Sequence, residues 1–170
     1  MLYESLQQRA RQKAYAIVET MRYSIEEIDS RLIAWFRKTY LPVGRIAIFI
    51  VYFYFGILKL LDLSPASPLA DALSAKTIGI EYAHTAFIIL AIFECVIGVL
   101  FLFPKATRIV VPLLLAHMAI VCSPLLIVPD HIWLQPFVPN LEGQYIVKNV
   151  VIIAVALGIA AQTKPLKKTA

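Results

Sequence analysis

Charge is scarce in this sequence. Asp, Glu, Lys and Arg make up only 16% of its 170 residues and hydrophobic residues make up 60%, against about 25% and 45–50% in soluble domains. A charge-coated soluble fold is excluded on that ground. Cysteine is scarcer still. Cys95 and Cys122 both fall inside apolar runs, so neither a secreted disulfide framework nor a CxxC metal pattern is available, and no redox compartment follows from them. Small apolar packing is their ordinary role. A redox function for Cys122 would want His117 close by, yet five residues turn a helix by about 140° and aim the two apart. Also missing are HExxH, GxSxG, Walker and GxGxxG patterns, so no soluble-enzyme chemistry, no metal site and no catalytic residue is assigned. Of the histidines, His84 falls at the end of an apolar run and His117 at the middle of another. They are not at matched depth for a b-type haem.

What the sequence does have is apolar residues gathered into four runs, at about 42–62, 83–103, 108–128 and 143–162. Each is near the ~20 residues that a bilayer-spanning helix requires. The expected fold class is therefore all-α: a polytopic membrane protein with a four-transmembrane-helix bundle over 42–162. Pro42 stands where a first-turn proline is tolerated. Pro104 and Pro129 close the second and third runs, and Pro112 and Pro124, within the third, predict a kink. Ser64-Pro65-Ala66-Ser67-Pro68 and the stretch from Pro129-Asp130 to Asn140-Leu141-Glu142-Gly143 read as loops.

Residues 1–41 are different. Leu6, Ala10, Ile17, Met21, Ile25, Ile28, Leu32 and Phe36 recur mostly three or four apart among charges, which predicts an amphipathic helix. Ending in Trp35, Phe36, Arg37 and Lys38, it reads as an interfacial segment on the cytoplasmic side, with a solvated helix packed on the end of the bundle as the alternative. The first apolar run starts only after about 40 residues, behind Glu26, Glu27 and Asp29, so it does not read as a cleavable signal peptide.

The net charge of +5 would suggest nucleic acid if it formed a stripe. Instead the basic residues flank the apolar runs, which is a topology signal. Arg31, Arg37, Lys38 and Arg45 surround the start of the first run, Lys105 and Arg108 the second loop, and Lys164, Lys167 and Lys168 the basic tail at 163–170. The other two loops hold only Lys76 against Asp71, Glu81, Asp130 and Glu142. The basic sides coincide when both termini face the cytoplasm in a cell inner (plasma) membrane.

Each run also carries an ionisable residue: Lys59, Glu94, His117 and Lys148 in turn. A charge at mid-membrane costs about 2.5–3.5 kcal/mol on insertion scales, so these side chains are expected to face one another. Arg45, Phe49, Tyr52, Gly56 and Lys59 share one helical face, as do His84, Phe87, Ala91, Glu94 and Gly98; Tyr145, Lys148 and Ile152 line a third, with Asn149 beside it. Lys59, Glu94, His117, Lys148, Tyr52 and Asn149 are thus the candidates for binding a ligand or relaying protons in the outer half of the bundle. Structural roles are open for each. Lys59 can snorkel outward or pair with Asp62, Lys148 can do the same with Glu142, Glu94 can form a buried pair that only holds helices together, and His117 can be neutral and bonded to a neighbour.

Three stretches resemble the DoxX-like family of small four-helix membrane proteins, with its DoxD and YkgB-type branches. They are FGILKLLDLSP, FECVIGVLFLFPKATR and LEGQYIVKNVVIIAVALG, which are similar to the family's Gly-x-x-Lys, Glu-x-x-x-Gly and Lys-Asn or Lys-Asp patterns. The resemblance puts Lys59, Glu94 and Lys148 on recurring intramembrane polar positions of the family, and not His117. Its branches are linked to quinone-coupled sulfur oxidation, to thiol redox complexes, or to no assigned role. It therefore implies at most a membrane oxidoreductase subunit, quinone as the cofactor of one branch, and as partners the lipid bilayer, a small anionic or quinone-like ligand, and a protein partner or second copy. A non-enzymatic carrier or assembly scaffold is the alternative.

Overall fold

The computed structural model describes residues 2–165, with the side chains of residues 11, 13, 15 and 17 and of those from 19 onward. The forecasts for Leu6, Ala10 and most of the basic tail lie outside the described side chains. Two compact units are present, residues 1–41 and 42–170, and each is taken by itself.

In the first unit the chain is helical, part of α1 (Leu2–Leu60). Every described side chain from Arg11 to Lys38 is exposed, including the apolar series Ile17, Met21, Ile25, Ile28, Leu32 and Phe36. Arg22–Glu26 (2.9 Å) and Arg31–Glu27 (2.7 Å) pair across one helical turn, as four-residue spacing allows. Pro42 lies inside α1 and does not open a new helix. Its missing N–H frees only one carbonyl, and membrane helices tolerate that.

The second unit contains the remainder of α1, then α2 (Ser67–Thr77), α3 (Ala83–Phe101), α4 (Thr107–Cys122), α5 (Pro124–Ile127) and α6 (Leu141–Ala161). Among the described residues, four helical stretches are long and apolar enough to cross a membrane, within Glu19–Leu60, Ile80–Phe101, Pro104–Ile127 and Leu141–Ala161. The third is interrupted at Ser123-Pro124, where α4 gives way to α5, whereas α4 runs through Pro112. Two elements stand in stretches expected to be loops. α2 begins with Pro68 in its first turn, where a missing N–H is harmless. A short hairpin pairs β1 (Trp133–Gln135) with β2 (Val138–Pro139). Asn140 ties that hairpin to α6: its side chain accepts from the Gly143 N–H at 2.9 Å and donates to the His131 carbonyl at 2.6 Å, which is an N-cap.

Exposure in this unit is inverted relative to a soluble protein. Large apolar residues such as Ile50, Ile89, Ile109 and Val150 face outward, while Arg45, Lys59, Glu94 and His117 are buried. Water would penalise both halves of that pattern, and a hydrocarbon surround favours both.

Candidate functional site

Glycine brings the first two apolar helices together. A Cβ on Gly56 would lie 2.6 Å from the Cys95 sulfur and 2.9 Å from the Ala91 carbonyl oxygen, and one on Gly98 would lie 3.0 Å from the Phe53 nitrogen. No larger residue permits that approach of backbones. Gly56 is one turn from Lys59 and Gly98 one turn from Glu94, so the Gly-x-x-Lys and Glu-x-x-x-Gly spacings acquire a physical meaning: the glycines close the gap that the charged side chains then bridge. Helical Cα–Cβ bonds tilt toward the N-terminus. Lys59, in the last turn of α1, therefore leans back along its helix, and Glu94, about 16 Å into α3, leans up to meet it.

The result is a continuous polar chain. Lys59 Nζ donates to Glu94 Oε2 at 2.5 Å, Glu94 Oε1 is 3.1 Å from His117 Nε2, and His117 Nδ1 is 3.3 Å from the Tyr52 hydroxyl. All four residues are buried. The Phe87 ring lies 6.0 Å from the ammonium and the Phe93 ring 6.0 Å from the imidazole. His117 belongs to the packed stripe of α4 formed by Thr107, Val110, Val111, Leu114 and Met118, the spacing of one helical face.

One arrangement of protons satisfies every bond. An ionised Glu94 accepts from both neighbours, which puts a hydrogen on His117 Nε2; a neutral imidazole then offers Nδ1 as an acceptor, and Tyr52 donates to it. The cluster then holds one positive and one negative charge and is neutral. A second arrangement carries one more proton, on Nδ1. His117 then donates to the Tyr52 oxygen, and the phenol hydrogen must turn elsewhere.

Thus Lys59, Glu94, His117 and Tyr52 come together, and Lys59 neither snorkels outward nor pairs with Asp62. Lys148 and Asn149 are not brought to them. Lys148 is exposed, its Nζ 5.1 Å from the Tyr145 ring, while the packed face of α6 carries Gly143, Ile146, Ala156 and Ile159, with Asn149 half-buried. His84 likewise is exposed and off the packed face of α3. Cys95 and Cys122 are free thiols. A second polar contact, whose partners residue spacing alone did not mark, joins α1 to the end of α3 and the start of α4: Arg45 is buried and donates to the Phe101 carbonyl at 3.1 Å and the Thr107 hydroxyl at 2.7 Å.

Apolar helices with lipid-facing exteriors and a charged interior define a multi-pass membrane protein. Residues 44–157 match the model of the DoxX-like family, and the chain belongs to that family. Comparison with the curated proteins and with the solved structures gave no match. Lys59, Glu94 and His117 all fall within the matched residues.

Quinone, which one branch of the family implies, needs donors free to meet its carbonyl oxygens and an opening toward lipid. Here Lys59 Nζ and His117 Nε2 are both held by the Glu94 carboxylate, and the Tyr52 hydroxyl is held by His117 Nδ1. Among the described residues no buried side-chain nitrogen or oxygen lacks a hydrogen bond. As arranged, the cluster does not fit a quinone.

Proposed function

We propose that this DoxX-like protein is a four-helix inner-membrane subunit of a redox-linked assembly, in which the Lys59–Glu94–His117–Tyr52 chain takes up and releases a proton. The observation that carries the reading is the unbroken series of contacts at 2.5, 3.1 and 3.3 Å through apolar surroundings, with an imidazole at its centre. Both termini are cytoplasmic in this reading, supported by the basic residues at the ends near Arg45, Lys105, Arg108 and Lys164. The exposed apolar series from Ile17 to Phe36 supports an amphipathic helix on the cytoplasmic interface. The redox link rests on the sulfur- and thiol-linked branches that the family resemblance brings with it.

Infrared difference spectra of the reconstituted protein, taken between about pH 8 and about pH 5, test the proton step. Carboxylate and imidazole bands that disappear in Glu94→Gln and His117→Phe are expected. Absence of such bands, with both variants folded and monodisperse, would support the second reading, an assembly scaffold in which the cluster holds helices in register. The specific observation favouring that alternative is the closed packing of Gly56 and Gly98. A small anionic or quinone-like ligand is tested separately, by mass spectrometry of molecules retained on purification and by electron transfer from a sulfur donor to a quinone analogue.

A further inference from the structure

The charge distribution of the second unit is one-sided. Asp62 and Asp71 lie between α1 and α3, the latter within α2, Glu81 just before α3, and Asp130 and Glu142 between α5 and the first turn of α6, while Glu94 is inside. At the opposite end, residues 42–55, 98–115 and 152–165 contain Arg45, Lys105, Arg108 and Lys164 and no carboxylate. There a cleft of about 520 Å³ opens between the start of α4 and the end of α6, lined by Thr107, Arg108, Val111, Pro112, Ala160, Thr163, Lys164 and Pro165.

Three observations say what fits. The rim carries two cations, Arg108 and Lys164, with the Arg108 guanidinium bonded to the Lys164 carbonyl. Behind the wall, Thr107 accepts from Arg45, a buried cation that no carboxylate among the described residues neutralises. Below the rim the lining turns apolar, at Val111, Pro112 and Ala160 along two helices that face hydrocarbon. A cationic mouth over an apolar slot at the end of membrane helices matches an amphiphile with an anionic head. We propose that this cleft holds an anionic phospholipid, its phosphate between Arg108 and Lys164 and an acyl chain against Val111, Pro112 and Ala160. The inference is independent of the proton reading, because it concerns the other end of the helices.

Native mass spectrometry of the purified full chain tests it, with phosphatidylglycerol and phosphatidylcholine offered at equal concentration. Preferential retention of phosphatidylglycerol is expected, weakened about fivefold by Lys164→Gln and again by Arg108→Gln. Lys105→Gln, which removes an equal charge outside the lining, should leave retention unchanged. Ala160→Trp, which fills the slot and keeps both cations, should abolish it; should that variant fail to fold, the contrast between Lys164→Gln and Lys105→Gln still decides. Equal retention of the two lipids, an equal loss in Lys105→Gln, or displacement of phosphatidylglycerol by inorganic phosphate alone would each overturn the proposal.

Discussion

Replacing Lys59 by Met removes one member of an ion pair whose partners are 2.5 Å apart, with side chains only 11% and 7% exposed. Glu94 then keeps His117, 3.1 Å away, as its remaining polar partner. Breaking a buried pair from one side costs about 3–5 kcal/mol. Because the imidazole can take a proton and restore a counter-charge, Lys59→Met should lie at the lower end, about 3 kcal/mol. Glu94→Gln leaves an ammonium in the last turn of α1 with a neutral acceptor, and that ammonium has a route to the helix end; a loss of about 2 kcal/mol follows. The double variant removes both charges and leaves neither stranded, so its loss should be no more than about 2 kcal/mol. The coupling is then about 3 kcal/mol, at the upper end for residues in contact. Unfolding in mixed micelles with increasing dodecyl sulfate, followed by circular dichroism and by the fluorescence of Trp35 and Trp133, measures all four states. Single losses that add to within about 0.5 kcal/mol would refute the argument, since they would show the pair contributing nothing as a pair.

Other substitutions separate the parts of the site. Gly98→Ala places a methyl 3.0 Å from the Phe53 nitrogen and 3.2 Å from the Tyr52 Cβ; it should cost about 1–3 kcal/mol in the same unfolding assay and lengthen the Lys59–Glu94 contact seen by infrared spectroscopy. Tyr52→Phe leaves His117 Nδ1 without its donor in a buried site, for about 1–3 kcal/mol, and most of that loss should vanish in the Tyr52→Phe, His117→Phe double variant. Asn140→Ala removes both the cap on Gly143 and the bond to His131, and a loss of about 1–2 kcal/mol is expected, with proteolysis of the hairpin between Ile132 and Asn140 accelerated.

Where a helix marks its inner side with small and polar residues, its packed face is legible in residue spacing alone. Arg45, Tyr52, Gly56 and Lys59 in α1, and Phe87, Ala91, Glu94 and Gly98 in α3, are all buried. α6 offers no such mark. Apolar residues surround it, and the one charge beyond its first turn, Lys148, suggests an inner face that the structure places outward. Long side chains near helix ends can escape the rule that charges turn inward; Lys148 is exposed over the Tyr145 ring, while Lys59 is buried and held by Glu94. α2 and the 133–139 hairpin are hidden for another reason. Each is too short for a period to show, and Pro65, Pro68, Pro136 and Pro139 read equally well as loop residues. Pro42 misleads in the opposite direction, since a proline admissible at a helix start is also admissible within a membrane helix.

The composition of the buried chain bears on why it would handle a proton at all. A scaffold needs only the Lys59–Glu94 pair, which is neutral and held at short range. His117 adds a group that can change charge, and Tyr52 on its far nitrogen adds a hydroxyl able to donate in one state and accept in the other. The arrangement with the extra proton carries a net +1. A negative charge arriving about 8 Å away would attract that extra charge by about 2 kcal/mol at an effective dielectric constant near 20. In the proposed reading, proton uptake is coupled to the arrival of negative charge, whether an electron on a redox partner or a small anion. If that coupling holds, the infrared response to pH should strengthen when the protein is reconstituted with a reduced redox partner and weaken when that partner is oxidised. An unchanged response in the two states would separate the cluster from electron transfer and leave it with the helices it joins.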